Sequence, residues 1–510
     1  MEVRIPTGFE TYEKFLLAPI AEQERMLREN SPEWWEREGE KKALVTFHQA
    51  AQRVPAYKDF LKKHNVNPEK VVTIEEFKTQ VPIMTKKDYL RQYPLKDLCW
   101  DGDLSRMNVI SVSSGSTGEP FFWPRDIWQE REVDSWYELV FRYLFDAHEK
   151  NTLVIIAFAM GMYIAGPFTY GSLLRIAQKG NPISVTTAGS DIETVMRIIE
   201  KMSPSFDQTV IGGYPPLVRE IVAACAHKKM DLEKFGIKLF FGGEGFSEKW
   251  RSYVQRKIHA KDVYSSSINM YGTADSSILG IETPVSIFFR KLLNENDSLR
   301  ASMLGDERLP SILSYNPLAK FFEEDTSDQT LLLTASSGLP LIRYNIGDTG
   351  GIINFHRIAE LVSHHKKLGL EDSLPNVWRL PLVYLFGRKD FTVQIAGANV
   401  YPENVKEALD NEEIESYITG KFILTSEHKR NMSPFLRLRL ELARDVKADR
   451  NLLKLIRKIT VNTLRKNNSE YEVIYKAIGK KAVPLIQLEK YGHKDFKIKI
   501  KHPWTKKITN

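Results

Sequence analysis

Ser111-Val-Ser-Ser-Gly-Ser-Thr-Gly-Glu-Pro120 sets the hydroxyl side chains Ser113, Ser114, Ser116 and Thr117 around Gly115 and Gly118 and closes on Pro120. Glycines let a loop bend tightly and bring its backbone N–H groups close to a ligand. Consecutive N–H groups form an anion-binding nest, and Ser and Thr hydroxyls add donors. Such a loop can cradle a polyphosphate. It is not a P-loop, because Glu119 follows the second glycine where that motif carries lysine. On these residues alone, a flexible Gly/Ser linker is the favoured reading over a phosphate loop. The flanks are apolar: Asn108-Val-Ile-Ser-Val112 enters and Phe121-Phe-Trp-Pro124 leaves, which predicts strand, loop, strand.

Downstream, strands alternate with helices. Strands are expected at 153–158, 209–213, 238–241 and 268–271, with helices at 128–147, 191–199, 217–228 and 247–258. That alternation predicts an α/β architecture with a largely parallel sheet flanked by helices. Ligands in such sheets sit beyond the carboxyl ends of the strands. The glycines at 212, 242 and 272 all fall at those ends. A strand pair at 330–334 and 340–344 leads into Asn345-Ile-Gly-Asp348. Residues 1–100 read as a mainly helical lead-in, with Thr73 and Glu76 in capping-box spacing. Residues 290–310 read as a polar insertion or mobile loop, and 356–380 as a charged loop. From Gly387 the pattern becomes a small α+β unit with a helix at 402–409, strands at 421–424 and 435–442, and a helix at 450–465. The expected division is 1–386 and 387–510.

Length and composition narrow the class. A chain of 510 residues exceeds one ordinary core. Two cysteines, Cys99 and Cys225, exclude a cysteine-based zinc site or a disulfide framework and suit a reducing cytoplasmic setting. The start has no apolar leader run. Residues 151–174 carry no charge, yet their glycines, Pro167 and polar residues fit a buried strand and pocket loop better than a membrane span. Net charge is +7, and from Lys476 onward ten lysines face two acids. The basic excess is therefore a tail. It lacks the interleaved aromatics of a nucleic-acid stacking platform.

Four segments now stand in order: Ser113–Pro120; Asn269-Met-Tyr-Gly-Thr-Ala-Asp275; Arg343-Tyr-Asn-Ile-Gly-Asp348; and Gly387-Arg-Lys-Asp390 with Gly397-Ala-Asn-Val-Tyr-Pro-Glu403. Together they resemble the adenylate-forming (ANL) superfamily, most closely its phenylacetate-CoA ligase-like branch with the coenzyme F390 synthetase and CapK-type proteins. Val54-Pro-Ala-Tyr57 and Val81-Pro-Ile-Met-Thr-Lys86 are also similar to that branch.

The resemblance implies a large adenylation domain followed by a small mobile domain, and an enzyme that uses ATP, Mg²⁺ and coenzyme A to activate a small-molecule carboxylic acid. It implies phosphate contacts from Ser113, Ser114, Gly115, Ser116, Thr117 and Gly118. Tyr271, Gly272, Thr273, Asn269 and Gly243-Glu244-Gly245 would surround the adenine side. Asp348 and Arg388 would reach the ribose, Asp275 would hold Mg²⁺, and Asp390 would be the hinge. Phe158, Tyr163, Tyr214 and Asn269 would flank the acid, and the uncharged stretch 151–174 suggests an aromatic or apolar one. A lysine near the C-terminus would balance developing charge; Lys501 is the choice, followed by Lys499 and Lys494. A homodimer is an admissible assembly.

Two departures stand out. Ala274 removes a hydroxyl that the superfamily's usual Tyr-Gly-x-Thr/Ser-Glu pattern carries, with Thr273 one position away and Asp275 one methylene shorter than Glu, a departure that related sequences of the F390-synthetase-like branch share. Glu119 replaces the loop's common lysine. Amide formation, AMP transfer to another acceptor, and a catalytically silent nucleotide-binding protein are the alternative readings.

Overall fold

The architecture follows from where the apolar runs sit. The computed structural model describes residues 9–113, 120–161, 164–325, 327, 329–366, 374, 377–388, 393–395, 398–428, 434–497 and 504–505, the side chains of 362–366, 388, 428 and 434 excepted. An antiparallel hairpin, β1 (Val109–Val112) and β2 (Phe122–Arg125), brackets the Gly/Ser loop as expected. Next come β3 (Thr152–Ile156), β4 (Ile183–Thr187), β5 (Gln208–Gly213), β6 (Ile237–Gly242), β7 (Ser267–Thr273), β8 (Ser277–Ile281), β9 (Ser311–Ser314), β10 (Phe321–Asp325), β11 (Thr330–Ala335), β12 (Leu341–Ile353) and β13 (Leu382–Arg388). These form an eleven-stranded sheet in the order β10-β11-β12-β13-β9-β8-β7-β6-β5-β3-β4. The half from β4 to β7 is parallel, and the pairings from β7 to β10 are antiparallel.

The inner strands β3 and β5 of the parallel half are buried throughout, which apolar runs at their centres allow, whereas the edge strand β4 is only partly buried. On one face Val154, Val210, Phe240 and Ile268 pack against Val133, Tyr137 and Phe141 of the helix Ile127–Tyr143. That helix is started by Asp126, whose carboxylate accepts from the N–H groups of Trp128 and Gln129, a cap worth about 1 kcal/mol. On the other face Ile155, Ile211, Leu239 and Phe241 meet Val218, Ile221 and Val222 of the helix Pro215–His227. The helical lead-in covers the antiparallel half, with Phe47, Tyr57 and Phe77 against Leu331, Leu333 and Tyr344. Its predicted capping box at Thr73 and Glu76 is present. Lys42 of the helix Pro32–Arg53 is buried there. It donates to Ser336 Oγ (2.7 Å) and sits over the rings of Phe9 and Tyr12, and burial pushes its pKa down to about 7.

Beyond β13 the chain builds a separate core. β14 (Val393–Ile395) pairs with β15 (Ala398–Val400). β16 (Ile418–His428), β17 (Pro434–Leu442) and β18 (Leu485–Glu489) form a second small sheet, with β18 added in parallel. Ile395, Val405, Phe422, Leu438, Ile456 and Trp504 share its interior. The strand β18 and the helix Ser469–Ile478 were not expected from the tail's lysine-rich composition.

Two loop expectations are corrected. Residues 290–310 are largely helical: Pro284–Glu295, started by a Thr283–Ser286 capping box, and Asp297–Leu304, ended by left-handed Gly305. Val285, Phe288, Phe289 and Leu293 recur at helical spacing and are buried, which outweighs the polar residues between them. Phe355–Lys366 is likewise a helix. The uncharged stretch 151–174 divides into β3 and the start of the helix Ala165–Gln178. Among the described residues no helix is long and apolar enough to cross a membrane.

Candidate active site

Two of the segments singled out in the sequence, those around Tyr271 and Asp348, meet near the carboxyl end of β7. Tyr271, near the end of β7, donates its hydroxyl to Asp348 Oδ2 of β12 at 2.6 Å. Tyr344 of β12 donates back to Asp275 Oδ2, in the turn after β7, also at 2.6 Å. These crossed pairs join positions 77 and 69 residues apart in the chain. Each charge-assisted bond of this kind is roughly twice as strong as a neutral one. Two carboxylates are thereby held between β7 and β12.

A third element reaches Asp275. Lys86 Nζ lies 3.3 Å from Asp275 Oδ2 and 5.4 Å from the ring centre of Trp123 on β2. Its placement is built locally. Met84 and Arg343–Asn345 exchange backbone hydrogen bonds, and Arg343 donates to Val81 O, pinning this segment to β12. Thr85 then caps the short turn Lys86–Leu90 by accepting from Asp88 N. Lys86 ends the segment Val81–Lys86 noted in the sequence, but it was not assigned a role. Pro82 before it and the capping pattern Thr85-x-x-Asp88 were the signals that its position is fixed.

The loop Gly243-Glu244-Gly245 follows β6. Gly243 has φ +92°, a left-handed conformation suited to glycine, and a Cβ at Gly245 would lie 2.5 Å from Ser311 Oγ. Glu244 accepts from Tyr214 Oη on one carboxylate oxygen and from Lys406 Nζ on the other. Asn269 Nδ2 donates to Glu244 O at 3.4 Å, and Asn269 N donates to Glu282 Oε2 at 2.8 Å. Asn269 Oδ1 is buried without a hydrogen-bond partner among the described residues. Behind this wall lies a network in which Arg251, fully buried, is paired with Glu248 and Glu282. Arg290 pairs with Glu248 and donates to Phe246 O (2.6 Å). Breaking one member of such a network leaves a buried charge uncompensated. The loop is therefore held from its hidden side.

Phe158, just past β3, is buried with its ring 3.5 to 3.7 Å from where a Cβ on Gly212 or Gly242 would stand. The two glycines leave the space that this ring fills.

The remaining sequence candidates fall as follows. Ser113 closes the neck of the β1–β2 hairpin: its N–H donates to Phe121 O, and its hydroxyl accepts from Phe121 N at 3.0 Å. The hydroxyl of Thr273 accepts from Ser276 N in the β7–β8 turn (3.2 Å), and Gly272 is exposed in β7. Arg388 is the β13 partner of Asp348 in the strand register. Lys494 is exposed on a short turn packed against β17. Ser114, Gly115, Ser116, Thr117, Gly118, Tyr163, Asp390, Lys499, Lys501 and the Arg388 side chain lie outside the described residues.

A divalent cation can be tested against this geometry. Both partners of Asp275 sit on Oδ2, and neither is on Oδ1. Among the described residues no cluster of three or more metal-ligating side chains occurs. One carboxylate completed by water and a nucleotide's own phosphate oxygens suits Mg²⁺, which keeps much of its water. The residues fit that mode and not an all-protein cage.

No family model and no curated protein matches this chain by sequence. Solved structures do match. A 2-hydroxyisobutyryl-CoA ligase in the postadenylation state aligns over 99% of this chain and 94% of its own, with TM-score 0.66 and 16% identity. The same ligase in its thioesterification state aligns over the same shares with TM-score 0.51. The acyl acid amido synthetase AtGH3.15, in complex with 2,4-DB, aligns over 99% of this chain and 96% of its own, with TM-score 0.59 and 14% identity. The protein has the fold of the adenylate-forming enzymes.

Proposed function

We propose that this protein activates a carboxylic acid with Mg-ATP and passes the acyl group to coenzyme A. The observation that carries the reading is the pair of crossed bonds, Tyr271 to Asp348 and Tyr344 to Asp275. They bring two of the resembling motifs to one cleft at the sheet's carboxyl ends, where an α/β sheet binds ligands.

In the first half-reaction a carboxylate oxygen attacks the α-phosphorus of ATP. The bond from that phosphorus to the α,β-bridging oxygen breaks, and pyrophosphate leaves. In the second, a thiolate attacks the acyl carbon, AMP leaves, and the thiol proton passes to solvent. Asp348 accepts from the ribose hydroxyls, with Tyr271 fixing its orientation. Asp275 holds Mg²⁺, which supplies charge neutralisation to the phosphates. Lys86, paired with Asp275, supplies the cation that the Gly/Ser loop lacks at Glu119. The loop from Gly243 to Gly245 walls the adenine side, and Phe158, Tyr163, Tyr214 and Asn269 surround the acid. Lys501 balances charge on the α-phosphate and carboxylate, a term that is large when such groups are preorganised. Residues 1–386 and 387–510 act as two domains hinged at Asp390.

A second reading replaces coenzyme A with an amine. The whole-chain similarity to an acyl acid amido synthetase supports it. Incubation with ATP, an acid panel and either coenzyme A or amines, followed by product mass, tests both. AMP with an acyl-CoA product supports the first, and AMP with an amide supports the second. ADP, or no nucleotide turnover with any acid, contradicts both.

A further inference from the structure

The helix Pro402–Leu409 belongs to the C-terminal core, yet Lys406 on it faces the loop after β6. Its ammonium pairs with Glu244, lies 3.3 Å from Gly245 O and sits 4.6 Å from the ring centre of Trp504. Both charged side chains are only 13% exposed. The contact is therefore an ion pair largely withdrawn from water, between the C-terminal core and the wall of the cleft.

Other contacts seat the same surface without touching that loop's carboxylate. Asp410 accepts from Arg219 (2.9 Å) and from Ser247 Oγ (2.6 Å), and Lys421 pairs with Glu220 (2.8 Å) and Glu441 (2.6 Å). Arg308 lies over the Tyr401 ring at 3.9 Å. The gap between Lys406, Glu244, Trp250 and Trp504 is about 30 Å³, room for about one water. The C-terminal core is thus seated by contacts that do not depend on the loop, while Lys406 itself reaches the loop at Glu244 and Gly245.

We propose that Lys406 is a positioning residue that couples seating of the C-terminal core to the nucleotide-binding form of the Gly243–Gly245 loop. The proposal rests on the reading of that loop as the adenine wall. When the core is seated, Lys406 neutralises Glu244 and ties down Gly245 O. When it departs, Tyr214 and Asn269 still bond Glu244, but its carboxylate is left without a cation beside the site of a polyanion. Nucleotide binding and seating then favour one another, and linkage makes the effect reciprocal.

A charge swap tests this in the full chain. Dyes on cysteines introduced by Glu200→Cys and Lys454→Cys, both exposed positions, report seating by energy transfer, and calorimetry reports ATP binding. Lys406→Glu should lower the seated fraction and weaken ATP binding by roughly tenfold or more, the scale for breaking a buried charge pair, whereas Glu244→Lys should lower the seated fraction alike but weaken ATP binding less, because it also removes the carboxylate beside the polyanion. The double variant should recover both to within about threefold of the parent, since each charge regains a partner, and Lys406→Arg should retain both. Singles that leave both readouts unchanged, or a double no better than the worse single, overturn the proposal. Loss and rescue of seating without any change in ATP affinity also overturns the coupling. If the parent chain binds no ATP, both the proposed activity and the coupling fall. The seating signal then decides only whether the pair holds the core in place.

Discussion

Tyr271 and Asp348 meet at 2.6 Å although 77 residues separate them. Asp348 is buried and Tyr271 half-buried. The bond fixes one carboxylate oxygen of Asp348, the group we propose meets the ribose hydroxyls. Its counterpart, Tyr344 to Asp275, does the same for the carboxylate we propose holds Mg²⁺. The two tyrosines act as struts between β7 and β12.

Removing the Asp348 carboxylate should weaken nucleotide binding most. Asp348→Ala is expected to lower ATP affinity by roughly ten- to a hundredfold, the range for hydrogen bonds to a charged group. Tyr271→Phe, which leaves the carboxylate but frees its orientation, should cost about tenfold or less on the same scale. Calorimetric titration with a non-hydrolysable ATP analogue checks the order, and equal effects would deny Tyr271 a merely orienting role.

Asp275 and Lys86 share one oxygen, but the reading gives them different tasks. Asp275→Asn should raise the Mg²⁺ concentration needed for half-maximal activity by roughly tenfold, the loss of a single hard oxygen ligand. Lys86→Met should leave that concentration nearly unchanged while weakening ATP binding about tenfold, as removal of a charged hydrogen-bond donor does. Titrating Mg²⁺ at saturating ATP, and ATP at saturating Mg²⁺, separates the two.

Lys501 is assigned by resemblance, and kinetics can test it without reference to geometry. Lys501→Ala should slow pyrophosphate exchange by about a hundredfold, as loss of one preorganised charge-stabilising group does. ATP affinity should stay near the parent value. Full activity of that variant would move the role to another tail lysine.

Lys42 gives a prediction about stability. Burial, with Lys320 nearby, holds its pKa at about 7, against about 10.4 for an unfolded lysine. Between those values the unfolded chain binds the extra proton, so stability rises with pH across that window. The cost of burying the charge is present in full below pH 7 and is relieved as pH climbs. Lys42→Met should abolish that rise. Thermal melts of both proteins at pH 7 and 9.5 check it: the parent should gain on the variant at the higher pH, and parallel behaviour would contradict the assignment.

Most strands and helices from Val109 to Lys257 were legible because β3, β5 and β6 carry apolar runs, but the helix Ala165–Gln178 and the edge strand β4, Ile183–Thr187, were missed, β4 because its residues are only partly apolar and partly buried. The pairing of Tyr271 with Asp348 and of Tyr344 with Asp275 was not, since β12 meets β7 only through folding. Lys86 was hidden for the same reason: it is one lysine among many until the Met84–Asn345 hydrogen bond brings it in. The loop assigned to 290–310 was misread because its charged residues mask Val285, Phe288, Phe289 and Leu293 at helical spacing. Thr273, one position from the hydroxyl missing at Ala274, already has its oxygen accepting from Ser276 N within the turn. What the sequence carried was the chemistry of each motif; what it withheld was which motifs touch.

The most direct measurement is ATP–pyrophosphate exchange across a panel of aromatic, aliphatic and hydroxylated carboxylic acids. Exchange that depends on one class of acid, and is lost in Asp348→Ala, is the predicted result. No acid-dependent exchange with any member of the panel, under conditions where ATP binds, would contradict the adenylating activity proposed here.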